Sequence, residues 1–144
     1  MNTITRREFL KQAGALSACV CCMGTMSLLS SCFATKGIAA TTETADMVAI
    51  PATSFAEINF IVIQTKKFEE PLYISKQADG SYLAVRMLCT HKGCSLRAAP
   101  DKLKCPCHGS EFSAAGAVLT GPARDPLQNF RVTVENQNVV VHFN

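Results

Sequence analysis

Short runs of apolar, β-branched and aromatic residues, separated by turn residues, recur along the chain from residue 47 onward. Residues 59–64 form a mainly apolar run, and residues 71–75 and 81–87 flank the pair Asp79-Gly80. An Asp-Gly pair between two such runs is a strong hairpin signal, because its backbone readily adopts the turn that strand twist requires. The pattern therefore predicts a strand followed by a β-hairpin.

A second hairpin is predicted near the end of the sequence. Residues 130–135 and 138–143 alternate or are rich in β-branched residues, with Asn136-Gln137 between them. No stretch after residue 46 has apolar positions at the spacing of a helix face. We therefore predict one small all-β domain with antiparallel pairing over residues 47–144.

The first 31 residues have a different character. Thr5-Arg6-Arg7-Glu8-Phe9-Leu10-Lys11 is very similar to a twin-arginine export signal, and residues 13–29 are mostly apolar. That stretch is short for a membrane span, which needs about twenty apolar residues. We therefore assign residues 1–31 to an export signal in which Arg6 and Arg7 are the recognised pair.

The end of this segment resembles a bacterial lipobox. In Leu29-Ser30-Ser31-Cys32, the cysteine would receive the lipid anchor. Two alternatives remain, which are cleavage after Ala40 to give a soluble protein and no cleavage, with the apolar stretch as the anchor.

Residues 32–46 are predicted to be a tether between the membrane and the domain. They are rich in Ala and Thr and lack apolar periodicity. The alternative is that part of this segment packs along the domain as an irregular strand.

Charge limits the range of partners. The chain has 14 Lys and Arg against 11 Asp and Glu, a net charge of +3. Most of this excess lies in the export signal, so the rest of the chain is close to neutral. Nothing in this balance indicates nucleic-acid binding.

Two short runs contain the candidate metal-binding residues of the domain. They are Cys89-Thr90-His91-Lys92-Gly93-Cys94 and Cys105-Pro106-Cys107-His108-Gly109-Ser110. Each run offers one thiolate and one imidazole, plus a second cysteine that a mononuclear site would not need. A structural zinc site takes such mixed ligands, and so does a 2Fe-2S cluster with two histidines on one iron. Spacing alone does not choose the ligand cysteine of each run.

The order C-x-H-x-x-C followed by C-P-C-H-G-S resembles the Rieske iron-sulfur proteins, in the disulfide-containing branch found in quinol-oxidising complexes. The resemblance covers residues 83–127 and implies one 2Fe-2S cluster, held by loops inserted between strands. It implies two cysteine ligands on one iron and two histidine ligands on the other: Cys89 and Cys105, His91 and His108. It also implies a disulfide between Cys94 and Cys107, which suits an oxidising compartment such as the periplasm.

Two further positions are expected to tune the cluster. In this family a serine after His-Gly donates its hydroxyl proton to a bridging sulfide, and Ser110 holds that position. High-potential members have a tyrosine two residues later, where this chain has Phe112. We therefore expect a potential below the upper end of the Rieske range, which spans about −150 to +300 mV.

Two segments of the sequence are expected to contact a redox partner. Gly121-Pro122-Ala123 resembles the proline loop of this branch. Lys92 stands where quinol-oxidising members usually have an apolar residue at the docking tip. Because burying an unpaired charge is costly, Lys92 indicates a more acidic partner, unless it is an ordinary solvated lysine. Three more basic residues lie in the same stretch: Arg97, Lys102 and Lys104.

The resemblance implies a one-electron carrier at the periplasmic face of the membrane. It would be the electron-transfer subunit of a quinol:cytochrome c-type oxidoreductase, with a cytochrome b, a c-type cytochrome and quinol as partners. The alternative, favoured by the lipobox and Lys92, is a stand-alone lipoprotein module that serves another exported oxidoreductase. A ferredoxin component of an aromatic-ring dioxygenase fits less well, since those proteins are cytoplasmic and lack the disulfide pair. The remaining histidine, His142, is expected to be structural.

Overall fold

The computed structural model describes residues 42–144, which form eleven β-strands and one short 3-10 helix at Ala52–Phe55. Arg6, Arg7, Cys32 and the first part of the predicted tether lie outside the described residues. No helix within residues 42–144 is long and apolar enough to cross a membrane. The strands are β1 (Thr42–Glu43), β2 (Met47–Pro51), β3 (Phe60–Ile63), β4 (Leu72–Lys76), β5 (Tyr82–Arg86), β6 (Arg97–Ala98), β7 (Lys102–Lys104), β8 (Glu111–Ser113), β9 (Val118–Thr120), β10 (Asn129–Glu135) and β11 (Asn138–His142).

The strands form two antiparallel sheets. The larger sheet has the order β1-β2-β11-β10-β5-β4-β3, and the smaller has the order β6-β7-β8-β9. The smaller sheet is inserted between β5 and β10 of the larger one. Both metal-binding runs lie in the inserted part, one before β6 and the other between β7 and β8. The predicted all-β class and the insertion of these loops between strands are confirmed.

Both predicted hairpins are present. Between β4 and β5, Gln77 N–H donates to the Ser81 carbonyl at 2.8 Å, and Gly80 has a φ of +84°. Between β10 and β11, Asn136 and Gln137 have φ values of +48° and +64°. Two successive positive φ values are what a type I′ hairpin turn requires, and Asn accepts them at low cost.

Two apolar cores lie on opposite faces of β4 and β5. Successive residues of a strand point to opposite faces, and Leu72 and Ile74 accordingly pack into one core while Tyr73 packs into the other. Val85 of β5 joins Tyr73 in the second core, which also contains the two cysteines Cys89 and Cys105. Since β4 is buried on both faces from Leu72 to Ser75, its first three residues are consecutively apolar rather than alternating with polar ones.

The N-terminal boundary of the domain differs from the prediction. Thr42 and Glu43 pair with Ala49 and Val48 of β2, although the sequence pattern assigns residues 42–46 to the tether. The Glu43 carboxylate also accepts the Lys66 backbone N–H. The alternative of a strand packed along the domain therefore describes this part of the segment, because unpaired backbone groups at the edge of β2 give it a partner.

Candidate metal centre

The two metal-binding runs fold into loops with the same backbone hydrogen bonds. Cys89 N–H donates to the Cys94 carbonyl at 2.8 Å, and Cys105 N–H donates to the Ser110 carbonyl at 2.8 Å. Each loop is closed again by the N–H of its fifth residue, a glycine, which donates to the carbonyl of the first. Gly93 and Gly109 have φ values of +71° and +77°. Glycine is suited to this left-handed conformation, so the Gly of each run is explained by its loop.

The two loops place the two thiols in contact with each other and the two imidazole rings close to each other. Cys89 and Cys105 are free thiols with 2% and 1% of their surface exposed. The rings of His91 and His108 are 5.0 Å apart between centroids. Nδ1 of His91 is a buried nitrogen with no hydrogen-bond partner within residues 42–144. Because an unpaired buried polar atom is costly, this nitrogen is in the state expected of a metal ligand.

The Cys105 sulfur is prepared for the thiolate form, which binds metal. Burial alone raises the pKa of this thiol. The backbone N–H groups of Cys107 and His108 and the Cys89 side chain hydrogen-bond the sulfur, and the net effect is a pKa below the usual value. These donors stabilise negative charge on the sulfur, as they would on a ligand thiolate.

Cys94 and Cys107 form the disulfide that the resemblance implied, and it ties the two loops together. The sulfurs of Cys94, Cys105 and Cys107 lie within 4.8 Å of one another. A disulfide sulfur is not a thiolate, so this group of three is not a ligand set. Its compactness shows that the disulfide lies directly beside Cys105. The remaining donor set of two thiols and two imidazoles fits a 2Fe-2S cluster with mixed ligands.

Ser110 links the second loop to the Gly121-Pro122 segment. Its side chain is fully buried, and its Oγ accepts the Ala123 N–H at 3.1 Å. That bond uses a lone pair and leaves the hydroxyl proton, for which no acceptor is found within the described residues. A hydroxyl both donates and accepts, so the Ser110 hydroxyl proton is free to be donated, and its donation to a sulfide stays a prediction.

Phe112 is fully buried in the core that contains Cys89 and Cys105. It lies on β8, where its backbone is opposite Leu103 of β7 and Val118 of β9. Phe112 therefore shares a core with Cys89 and Cys105, and its side chain offers them no hydrogen-bond donor.

A groove of about 570 Å³ opens beside His91. Its walls come from the first metal-binding loop and from the segment after β9: Thr90, His91, Gly121, Pro122, Arg124 and Asp125. Thr90 Oγ1 donates to the Asp125 carbonyl at 2.7 Å and joins these two walls. Gly121 and Pro122 are predicted from the sequence, whereas Thr90, Arg124 and Asp125 are not. The sequence gives no sign of the role of Thr90, and the only sign for Arg124 and Asp125 is that two charged residues directly follow Gly121-Pro122-Ala123.

The basic residues near the loops differ in their surroundings. Lys102 and Lys104 both contact the Glu111 carboxylate, at 3.1 and 3.4 Å, and lower its pKa, with Lys102 the larger cause. Lys92 and Arg124 are exposed and form no ion pair within residues 42–144. Arg97 is also exposed and without an ion pair within these residues, so Lys92, Arg97 and Arg124 carry unpaired positive charge, whereas Lys102 and Lys104 share the Glu111 carboxylate.

His142 lies away from these loops, on β11. Its Nε2 is 2.9 Å from Thr133 Oγ1 on the paired strand β10. This contact is consistent with the structural role predicted for it.

Comparison with known proteins identifies the same region. Residues 45–131 match the model of the Rieske [2Fe-2S] domain. The chain is 42% identical over 77 residues to the cytochrome b6-f complex iron-sulfur subunit of Synechococcus sp. (strain WH7803). It is 35% identical over 77 residues to the same subunit of Chlorobaculum tepidum. These matches cover 50% and 52% of this chain but only 43% and 42% of the relatives, so the chain matches less than half of their length.

Solved structures agree with the fold. The cyanobacterial plasma membrane Rieske protein PetC3 from Synechocystis PCC 6803 superposes with a TM-score of 0.51 and 35% identity. That match covers 58% of this chain and 85% of the other. The complex of oxygenase and ferredoxin in carbazole 1,9a-dioxygenase matches with a TM-score of 0.54 and 24% identity, over 69% of this chain and 94% of the other. At that identity the likeness shows the fold alone.

Proposed function

The chain belongs to the Rieske [2Fe-2S] family, and from this premise we propose that it carries single electrons at the periplasmic face of a membrane. In this proposal it is the electron-transfer subunit of a quinol:cytochrome c-type oxidoreductase, with a cytochrome b, a c-type cytochrome and quinol as partners. The observation that supports it most is the pair of matched loops, in which two buried thiols are in contact beside a disulfide and two imidazole rings lie 5.0 Å apart. The similarity to subunits of cytochrome b6-f complexes supports it.

The four candidate ligands differ in their exposure to solvent. A bound 2Fe-2S cluster supplies a one-electron couple. Cys89 and Cys105 are buried and would hold one iron away from water. His91 is half-buried and His108 is exposed, so their rings would hold the other iron towards the surface. An electron would pass to a partner on the side of these imidazoles, because they are the more exposed of the four donor side chains.

A second candidate function is a stand-alone electron-transfer module that serves another exported oxidoreductase. The observation that favours it is Lys92, which is exposed directly beside the ligand histidine His91. A charged tip suits a polar protein partner better than an apolar membrane subunit, because burying an unpaired ammonium group is costly. The two candidates share the cluster and differ in the partner.

Export and anchoring complete the proposal. The twin-arginine motif at Arg6 and Arg7 and the lipobox at Cys32 support export as a folded, cluster-loaded protein that is held on the membrane by lipid. The expected result is palmitate labelling of the full chain that is lost in Cys32→Ala. Labelling that survives this substitution would contradict anchoring at Cys32.

The central experiment is spectroscopy and voltammetry on the full chain after anaerobic cluster loading. We expect a reducible centre with the EPR spectrum of a mixed His and Cys cluster and a potential within the Rieske range of about −150 to +300 mV. A potential in the positive part of that range supports quinol oxidation, and a negative one supports the stand-alone carrier. Tightly bound zinc with no reducible centre would contradict both.

Replacing Phe112 by Tyr should raise the potential by several tens of millivolts. The ring lies in the same core as Cys89 and Cys105, and a hydroxyl on it would donate to a ligand sulfur and favour the more negative, reduced cluster. A hydrogen bond to a charged acceptor is worth about 1.5–3 kcal/mol. Only the part of this energy that differs between the oxidised and reduced cluster changes the potential. A tenfold change in the equilibrium constant of a one-electron couple corresponds to about 59 mV. Film voltammetry of both proteins measures the shift.

Ser110→Ala provides the control with the opposite sign. It removes a hydroxyl that can donate to the cluster, so the potential should fall. It also leaves the buried Ala123 N–H without its acceptor, which should lower the free energy of unfolding by about 1–3 kcal/mol. An unchanged potential in Phe112→Tyr, with or without a loss of stability, would contradict the assigned role of Phe112.

A further inference from the structure

Arg124 lines the groove beside His91 but has no role in the electron transfer proposed above. It lies on the wall opposite the first metal-binding loop, in the groove that His91 also lines. Its side chain is exposed and forms no ion pair with any residue that the structure describes. A guanidinium group presents planar, paired donors that match a carboxylate. An unpaired one beside a redox ligand is thus suited to an acidic group that comes from outside the chain.

The backbone fixes this position. Thr90 Oγ1 holds the Asp125 carbonyl, one residue after Arg124. Gly121 approaches Ser110 so closely that a Cβ on it would lie 2.5 Å from the Ser110 Cα. The segment that carries Arg124 is therefore attached to both metal-binding loops. A side chain on a fixed backbone loses less freedom on binding, and this favours recognition.

The charges around the groove favour an acidic partner. Lys92, Arg124 and Asp125 are all exposed, and none of them has an ion-pair partner within residues 42–144. Arg124 and Asp125 line the groove, and Lys92 follows the lining residue His91 in the chain. The nearby acidic residue Glu111 is already in contact with Lys102 and Lys104. The unbalanced charge at this end is therefore positive.

Exposed apolar surface lies on the same segment. Leu119 on β9 has 56% of its surface exposed. The register between β8 and β9 shifts so that Leu119 has no residue opposite it, as at a β-bulge. Pro122, three residues later, is exposed as well and lines the groove. Exposed apolar area next to charged residues is a feature of transient redox complexes.

We propose that this groove docks a carboxylate-bearing surface of the protein redox partner, and that Arg124 is the residue that determines this charge preference. The inference rests on the proposed electron-transfer function and adds the chemistry of the partner. The occupant is an acidic protein surface, which places its redox centre near His91. Steering by opposite charge raises the association rate and makes it depend on salt.

The test uses two probes with the same haem and opposite surface charge. They are a basic c-type cytochrome and the same cytochrome after succinylation of its lysines. The reduced, cluster-loaded full chain gives one electron to the ferric haem, which becomes ferrous, and no atom is transferred. Stopped-flow rates are measured at low and high salt for wild type, Arg124→Gln, Arg124→Lys and Arg131→Gln. Arg131 is an exposed arginine on β10 of the larger sheet and gives the matched change in charge.

The wild type should react faster with the succinylated probe, and this rate should fall as salt rises. Arg124→Gln should slow that reaction by about fivefold or more and flatten its salt dependence, whereas Arg131→Gln leaves it unchanged. Arg124→Lys should recover most of the rate. In all variants the EPR spectrum and the potential should stay those of the wild type.

Three results would overturn the inference. They are equal effects of Arg124→Gln and Arg131→Gln, a faster reaction of the wild type with the basic probe, and a changed EPR spectrum or potential in Arg124→Gln. The last would mean that Arg124 acts on the cluster site rather than on the partner. If the cluster-loaded wild type reduces neither probe, the proposed function is contradicted as well. This result is therefore distinguishable from the three above, which contradict the docking inference alone.

Discussion

Replacing Cys105 by Ser should abolish binding of the 2Fe-2S cluster. Cys105 is a buried free thiol whose sulfur accepts backbone N–H groups, and its pKa is lowered despite its burial. A serine hydroxyl stays protonated under these conditions and does not replace a thiolate ligand. Iron and sulfide analysis after anaerobic loading should give values near zero, and the visible absorption and EPR signal should be absent.

The matched control removes the disulfide instead, in the double variant Cys94→Ser, Cys107→Ser. Cys107 is two residues from Cys105 in the same loop, but its sulfur is bonded to Cys94. This variant should still bind the cluster. Its free energy of unfolding should fall by about 3 kcal/mol, the value expected for a cross-link that closes a loop of this length. A cluster retained in Cys105→Ser and lost from the double variant would reverse the assignment of ligands and disulfide.

The pair of variants also tests the zinc alternative. Zinc would bind to the same mixed donor set, but it gives neither visible absorption nor sulfide in the analysis. A wild type that binds one zinc with no sulfide would support it. The fit of two free thiols and one unpaired histidine nitrogen beside a separate disulfide favours the cluster.

The sequence predicts those parts of the fold that depend on neighbouring residues. Asp79-Gly80 and Asn136-Gln137 specify their turns through backbone conformations that few residues adopt. The glycine in each metal-binding run is likewise explained by its positive φ. These signals are local, so one sequence suffices to locate both hairpins and both loops.

Contacts between distant segments could not be predicted in this way. Thr90 and Asp125 are 35 residues apart, and nothing in either run indicates their hydrogen bond. Pairing of β1 with β2 joins neighbouring parts of the chain, but it depends on the free edge that β2 presents once β2 has paired with β11, which lies at the other end of the domain sequence. The charges near the site show the same limit. Lys102 and Lys104 look as available as Lys92 in the sequence, and only the pairing of β7 with β8 brings them to Glu111.

The close approach of Gly121 to Ser110 is another such contact, and it leads to the second large effect. Replacing Gly121 by Ala should lower the free energy of unfolding by about 3 kcal/mol or more. The new Cβ would lie 2.5 Å from the Ser110 Cα and 2.9 Å from its backbone nitrogen, and backbone atoms cannot move aside as a flexible side chain would. The φ of Gly121 is +105°, which adds strain for any other residue. Denaturant titrations of the cluster-loaded protein, followed by cluster absorption and by circular dichroism, measure the loss.

Gly80→Ala separates the two causes of that loss. Gly80 has a φ of +84°, but no atom lies within 4 Å of the position that a Cβ would take, so it carries the backbone strain without the clash. Its replacement should cost about 1 kcal/mol, and the difference between the variants isolates the contact with Ser110. Because Ser110 Oγ holds the Ala123 N–H, Gly121→Ala should also shift the potential, whereas Gly80→Ala should not. Equal losses of stability in the two variants, with equal potentials, would mean that the proline loop yields at no cost and does not position Ser110.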